Sequence, residues 1–300
     1  MANSTFQGKT LTEKRGLLLV GHGSREPFGL EEFLATSRLV AEMAGSVPIE
    51  SAFLEFANPM IAVGLRNLVH RGVRRVTVVP LLLFAAGHAK RDIPAAVAAA
   101  AAEHAEISPA ITVEQTDHLG CHEALVELSQ LRYDEALATL SPVSADETAL
   151  VMVGRGSHDR EAIAEMRQFV ELRQRITPAA LMRTAFLAMA EPRLETVLDE
   201  VVGLPVRRIV VQPHLLFGGV LLERIAALVE KYARWHPNIQ WVTPAHLGPS
   251  RLVAQAALDR AGLLHTKRAR DEPLGGGRPL ADCRIVQLKL PKQLPPISAD

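Results

Sequence analysis

The sequence predicts an α/β protein built from two tandem copies of one domain, each a parallel sheet flanked by helices. Two observations carry this. Apolar strand-like runs alternate with amphipathic stretches along most of the chain, without the short turns that would join hairpins. The order of motifs also occurs twice. LLLVGHGSRE from Leu17 returns as LVMVGRGSHDR from Leu150, and Gly21 and Gly154, Phe53 and Phe186, and Pro80 and Pro213 each stand 133 residues apart. A chain of 300 residues exceeds a usual single domain and suits two of ordinary size.

The first copy begins with GLLLVGHG, a buried strand ending in a glycine turn, followed by Ser24 and Arg25 and a helix over about Phe28 to Ala44. SVPIESAFLEF is a second strand. NPMIAVGLRNLVHRG is a helix with Asn58 as cap and Pro59 at its first position. VRRVTVVPLLLF is almost continuously apolar, as a strand covered on both faces should be. HAKRDIPAAVAAAAAEHA is an alanine-rich helix, and ITVEQTDHLG a fourth strand with its exit loop. TALVMVGRG, ALMRTAFLAMA, VRRIVVQPHLLFG and IQWVTPAHLG repeat the strands in the second copy. Residues 15–140 and 148–264 are therefore expected as the two domains, with SPVSADE between them. Residues 265–300, rich in Pro, Gly and charge, are expected to be a solvated tail.

Composition narrows the function classes. Lys plus Arg equals Asp plus Glu, so overall charge gives no reason to expect nucleic acid or an acidic membrane as partner. The apolar runs are too short and interrupted to span a bilayer, and MANSTFQGKTLTEKRG lacks the apolar core of a signal peptide. Cys121 and Cys283 stand alone, which argues against a disulfide framework or a cysteine-type zinc site. A cytoplasmic location is expected.

The two copies differ where chemistry could reside. His22, Glu55 and His88 align with Arg155, Ala188 and Leu221. Each taken singly reads as a turn, strand-end or cap residue. Their joint loss from the second copy shows that the scaffold does not require them. All three follow or end strands of one sheet, and parallel sheets bind ligands beyond the carboxyl ends of their strands. Imidazole suits divalent Fe, Co, Ni and Zn, and so few protein ligands leave coordination positions open. GHGSRE and GRGSHD carry half of a dinucleotide fingerprint, but Glu26 and Asp159 stand where its last glycine belongs, which argues against a Rossmann cofactor. DHLGCH at Asp117 to His122 has the look of a metal cluster. Because HLG recurs at His246 to Gly248, it is read as structural.

GHGSR after the first strand, FLE in the second and PLLLFAAGHAKRDIP after the third together resemble the CbiX/SirB sirohydrochlorin chelatases. The likeness spans about Arg15 to Gly262. It implies two chelatase-like domains fused in one chain, with the active site in the cleft between them. It also implies insertion of cobalt or iron into sirohydrochlorin, for cobalamin or siroheme biosynthesis. His22 and His88 would be the metal-site residues and Glu55 their acidic partner. The metal is a substrate, and no organic cofactor is expected. Some long members carry a cysteine cluster near the C-terminus, but one Cys283 beside one His265 makes an iron–sulfur centre unexpected. Because the fused halves replace a pair of chains, a monomer is plausible.

For a flat, carboxylate-rich macrocycle, Leu83, Phe84 and Phe217 would face the ring. Ser24, Arg25, Lys90, Arg91 and Arg155, near helix starts, would meet carboxylates, with His214 on the opposite wall. The alternative is a carrier that binds metal or a metallo-tetrapyrrole without catalysis.

Overall fold

A computed structural model of the chain describes residues 14–84, 87–105, 111–264 and 286–287. In the first lobe β1 (Arg15–Gly21), β2 (Ile49–Phe53), β3 (Arg75–Pro80) and β4 (Thr112–Gln115) lie parallel in the order β2-β1-β3-β4. Helices α1 (Pro27–Ala44), α2 (Ile61–His70), α3 (Ile93–Ala105) and α4 (Glu123–Leu137) flank them. The second lobe repeats this with β5 (Thr148–Gly154), β6 (Leu181–Phe186), β7 (Arg208–Pro213) and β8 (Gln240–Val242) in the order β6-β5-β7-β8. Its helices are α5 (Arg160–Ile176), α6 (Leu194–Val202), α7 (Val220–Trp235) and α8 (Arg251–Arg260). In each lobe the chain leaves the first strand to opposite sides, so a crevice opens between β1 and β3, and again between β5 and β7. Such switch points are where doubly wound sheets bind ligands.

The pleat of β1 explains its unbroken apolarity. Leu17 and Leu19 join a core shared by both lobes, whereas Leu18 and Val20 pack into the first lobe's outer core. In β5, Leu150 and Met152 face the shared core, and Ala149, Val151 and Val153 the second lobe's outer core. All are essentially unexposed, and a leucine buried this way contributes roughly 1.5–3 kcal/mol. α1 buries Gly29, Glu32, Phe33, Thr36, Ser37 and Val40, one helical face at three- and four-residue spacing, and packs on α8. The lobes are thus fused through a continuous apolar interior.

Swapped polar contacts pin the interface and explain the repeated HLG. His118 Nε2 lies 2.8 Å from Glu165 of α5 in the other lobe, and His246 Nε2 lies 2.9 Å from Glu32 of α1. Likewise Arg132 of α4 donates to Leu247 O at 3.1 Å, and Arg260 of α8 donates to Leu119 O at 2.9 Å. Each partner in one pair is the duplicated counterpart of a partner in the other, so the halves face each other with approximate twofold symmetry.

Three expectations are corrected. Asn58 does not cap α2; the helix starts two residues beyond Pro59, with Met60 at the cap. Pro59 O accepts from Phe53 N at 2.9 Å and Met60 bridges Phe53, so this segment still pairs with the strand. Pro192 and Arg193 repeat the arrangement against Phe186. Secondly, α3 is preceded by a π-helical segment, His88–Asp92. Thirdly, within the expected tail, β9 (Val286–Gln287) pairs antiparallel with β4, whose outer edge offers unpaired backbone groups. The rest of 265–300, Cys283 and His265 included, lies outside the described residues.

Candidate functional site

A cleft of about 1040 Å³ lies between the lobes and is lined by the loops that follow β1, β3, β5 and β7. His22 leaves β1 into it. Glu55 N donates to His22 O at 3.0 Å and Leu54 N to Gly21 O at 3.0 Å, which extends the β1–β2 pairing and sets His22 beside Glu55. The turn admits only glycine at position 23. Its φ is +94°, and a Cβ there would stand 1.7 Å from the carbonyl oxygen of Glu55.

The side chains meet, with His22 Nε2 3.1 Å from Glu55 Oε1 and both partly exposed. Nδ1 of His22 is 3.2 Å from Gly23 O, a carbonyl that can only accept. A backbone contact of this kind orients an imidazole, and Nε2 is the nitrogen that faces Glu55. Phe56, held at φ +63°, stacks on His22 with ring centroids 5.8 Å apart, and the Arg25 guanidinium lies over the Phe56 ring, 4.6 Å from its centroid. Phe56 was not legible as a site residue, because Met189 keeps the same positive φ in the second copy without a histidine beside it.

The loop after β3 brings Leu83 and Phe84 to the cleft wall, and His88 opens the π-helical segment that follows. Segments of this kind recur at functional sites in helices. Lys90 and Arg91 line the same rim. Lys90 reaches across to the second lobe, 3.1 Å from Asp159 Oδ2 and 2.5 Å from Glu161 Oε2. The bond to Glu161 is the main reason its pKa is raised; Asp159 is held low by the backbone N–H of Glu161 and by Lys90. Lys90 therefore already has two carboxylate partners, and a ligand carboxylate would have to exchange with them. The acidic start of α5 was the overlooked sequence signal.

Ser24 lines the cleft while its Oγ accepts from Glu26 N at 2.9 Å. Ser157 does the same for Asp159 N at 3.0 Å, so this serine serves the turn in both lobes. Glu55 stands beside His22 and Arg25 over Phe56, rather than on the cleft wall proper. Across the cleft are Arg155, exposed, together with His158, His214 and Phe217. His158, in the place of Arg25, was not singled out from sequence.

DHLGCH does not converge on a metal. His118 pairs with Glu165, and the Cys121 thiol donates to Glu165 O at 3.4 Å. Burial, reinforced by Glu165, pushes that thiol up to about 12, so it stays protonated. His122 caps α4 by accepting from Ala124 N at 3.2 Å. Its Nε2 is 3.4 Å from Asp259, yet burial and the Arg260 guanidinium push its pKa down to about 4. Since Nδ1 accepts a bond, the contact with Asp259 is that of a neutral ring whose proton is on Nε2. Among the described residues no group of three or more His, Cys, Asp or Glu side chains is placed to hold a metal, and no helix is long and apolar enough to cross a membrane.

His214 has its pKa pushed down to about 3 by burial and nearby Arg173. With Phe84 and Phe169 packed on the ring, that guanidinium is the charge acting on it. An unfolded histidine titrates near 6.5. A depressed folded pKa gives stability that is whole above pH 6.5 and is lost as pH falls toward 4 for His122 and 3 for His214. Between about pH 6 and 4.5, His214 should contribute a slope of about 1.4 kcal/mol per pH unit. Denaturant unfolding of the chain and of His214→Leu across that range should differ by this slope; parallel curves would show that the folded ring takes up its proton in the same range as the unfolded one.

Fold and cleft define a class: a fused, pseudo-twofold α/β protein whose first lobe sets a histidine–carboxylate pair, His22 and Glu55, beside the cleft. The CbiX family profile matches residues 16–136 and 149–262, and the chain belongs to that family. It is 31% identical over 235 residues to the sirohydrochlorin cobaltochelatase of Priestia megaterium, covering 78% of this chain and 74% of that protein. It is 30% identical over 249 residues to the sirohydrochlorin ferrochelatase of Bacillus subtilis (strain 168), covering 82% and 90%. The structure of SirB from Bacillus subtilis with Fe3+ superposes with a TM-score of 0.72 at 29% identity, covering 83% of this chain and 94% of SirB.

Proposed function

We propose that this protein is a sirohydrochlorin chelatase that inserts cobalt or iron into the macrocycle. The observation that carries the reading is the His22–Glu55 pair at the cleft, present on one lobe of a duplicated scaffold and replaced by Arg155 and Ala188 on the other. Relatives named for cobalt and for iron both resemble the chain, and imidazole with carboxylate accommodates either ion. The cleft is at the upper end of ordinary ligand-pocket volumes, as a large flat ligand requires.

In this reading the metal is a substrate. It must lose water while two pyrrole nitrogens lose protons. His22 Nε2, with His88, would replace lost water and hold the ion facing the ring. Glu55, in contact with His22, would accept a proton as it leaves. Leu83, Phe84 and Phe217 would cover the macrocycle face, with Ser24, Arg25, Lys90, Arg91 and Arg155 near its carboxylates. The carrier reading is weaker because a carrier needs ligands but no proton acceptor beside them. Sirohydrochlorin absorbance followed anaerobically with Co2+ or Fe2+, at protein well below substrate, tests the proposal. Repeated turnover is expected; a single change stoichiometric with protein would indicate a carrier.

The opposite wall should bind macrocycle rather than metal. Arg155 stands in the place of His22, and a permanent cation suits a carboxylate and repels a bare ion. Arg155→Ala should weaken macrocycle binding by roughly 1.5–3 kcal/mol, one charge-assisted hydrogen bond, and leave metal affinity unchanged. Separate calorimetric titrations of each ligand would show it. Lost metal affinity with intact macrocycle binding would reverse the two lobes' roles.

A further inference from the structure

His214 follows β7 at the cleft floor, in the place of Leu81 of the first lobe, so an apolar side chain satisfies the fold at this position. It is nonetheless an imidazole, 1% exposed and packed on Phe169 at 3.9 Å and Phe84 at 5.3 Å between ring centroids. Neither ring nitrogen has a hydrogen-bond partner among the described residues. A buried polar group left unmatched lowers stability, so its retention needs a reason.

A second unmatched group stands behind it. α5 buries Ala162, Met166, Phe169, Val170 and Arg173 along one face, and Arg173 is fully buried one turn after Phe169. One guanidinium nitrogen donates to Gln130 Oε1, while Nε and Nη2 have no partner. No carboxylate forms an ion pair with Arg173 among the described residues; Asp134 acts on it only from a distance, and burial pushes its pKa down to about 10, although buried charges are normally paired. The cleft reaches His214, and the buried positive charge lies beyond it.

We infer that His214, backed by Arg173, forms a deep anion subsite on the second lobe that takes one carboxylate of the tetrapyrrole. This rests on the function proposed above and makes it more specific. A ring N–H of His214 donates to the carboxylate, and Arg173 supplies the opposite charge from behind. Burial and Arg173 both favour the neutral ring, which keeps one nitrogen as donor at working pH. A metal ion would be repelled by the same guanidinium. Phe84 packs against the ring, so its side chain must move aside as the carboxylate enters. Arg155 and Arg91 would then meet carboxylates at the rim, and His214 would decide how deeply and in what orientation the macrocycle is seated.

The test compares the wild-type chain with His214→Leu, which installs the first lobe's residue, and His214→Gln, which keeps a donor. Metal-free sirohydrochlorin binding is followed by fluorescence quenching, beside a macrocycle whose carboxylates are esterified. His214→Leu should fold with an unfolding midpoint equal to or above the wild type at pH 7. It should bind the acid at least 10-fold more weakly, and the ester no differently from wild type. His214→Gln should stay within about 3-fold of wild type for the acid. Equal affinity of His214→Leu for the acid, an equal loss with the ester, or failure of His214→Leu to fold would overturn the subsite. Absence of metal insertion by the wild type, by contrast, would overturn the chelatase reading, because the binding comparison contains no metal.

Discussion

Replacing His22 or His88 with alanine should leave a folded protein that inserts metal about 10²–10⁴-fold more slowly. The second lobe argues for the intact fold: with Arg155 and Leu221 at the matching positions it builds the same sheet order. His22 is partly exposed, and its contact with Glu55 is worth at most about 1 kcal/mol to stability at such a site. The chemical loss is far larger, because an ion without its imidazole keeps the water that must leave before it meets the ring. Glu55→Gln should separate the two roles. The amide preserves shape but cannot take a proton, so turnover should fall more than metal affinity. Unfolding curves, metal titration and anaerobic insertion rates together decide the matter. Near wild-type insertion in either histidine variant would remove that residue from the mechanism, and unchanged turnover in Glu55→Gln would move the base elsewhere.

Much of this was legible in the sequence because duplication makes the chain its own control. Shared apolar positions and glycines mark the scaffold, and unshared polar ones mark the site; this is how His22 and Glu55 stand out before any distance between them is known. HLG was likewise legible as structural from its repetition. Its partners were not, since Glu32 and Glu165 lie far along the chain and become neighbours only when the lobes pack face to face. The same limit hid the pairing of Lys90 with Asp159 and Glu161. Local chemistry misled at α2, where Asn58-Pro59 carries good helix-start residues but tertiary pairing with Phe53 delays the helix. The π-helical turn at His88 and the short strand at Val286 depend on register and on a free sheet edge, and neither leaves a periodic signature. His214 was visible as a residue unique to its half. Its unmatched nitrogens, and those of Arg173, required packing to be seen.

The duplication also permits a paired experiment in which one strain is introduced twice with different consequences. Gly23 and Gly156 hold φ of +94° and +91°, and a Cβ at either would stand 1.7 Å from a backbone carbonyl, of Glu55 and Ala188 respectively. Neither carbonyl can rotate away as a long side chain would. Gly23→Ala and Gly156→Ala should therefore destabilise the chain by similar amounts, at least about 2 kcal/mol from the left-handed backbone and the displaced loop together. Their effects on function should diverge. In the first lobe the displaced loop carries Glu55 and the turn itself carries His22, so a shift of a few tenths of an ångström parts the pair and metal insertion should collapse. In the second lobe the turn carries Arg155 and faces Ala188, so the loss should fall on macrocycle affinity while maximal turnover largely survives. Both variants would be assayed at a temperature where unfolding curves show them native, with turnover measured at saturating and at limiting macrocycle. If Gly156→Ala lowers saturated turnover as severely as Gly23→Ala, the chemistry is not confined to the first lobe, and the asymmetry of the histidines has been misread.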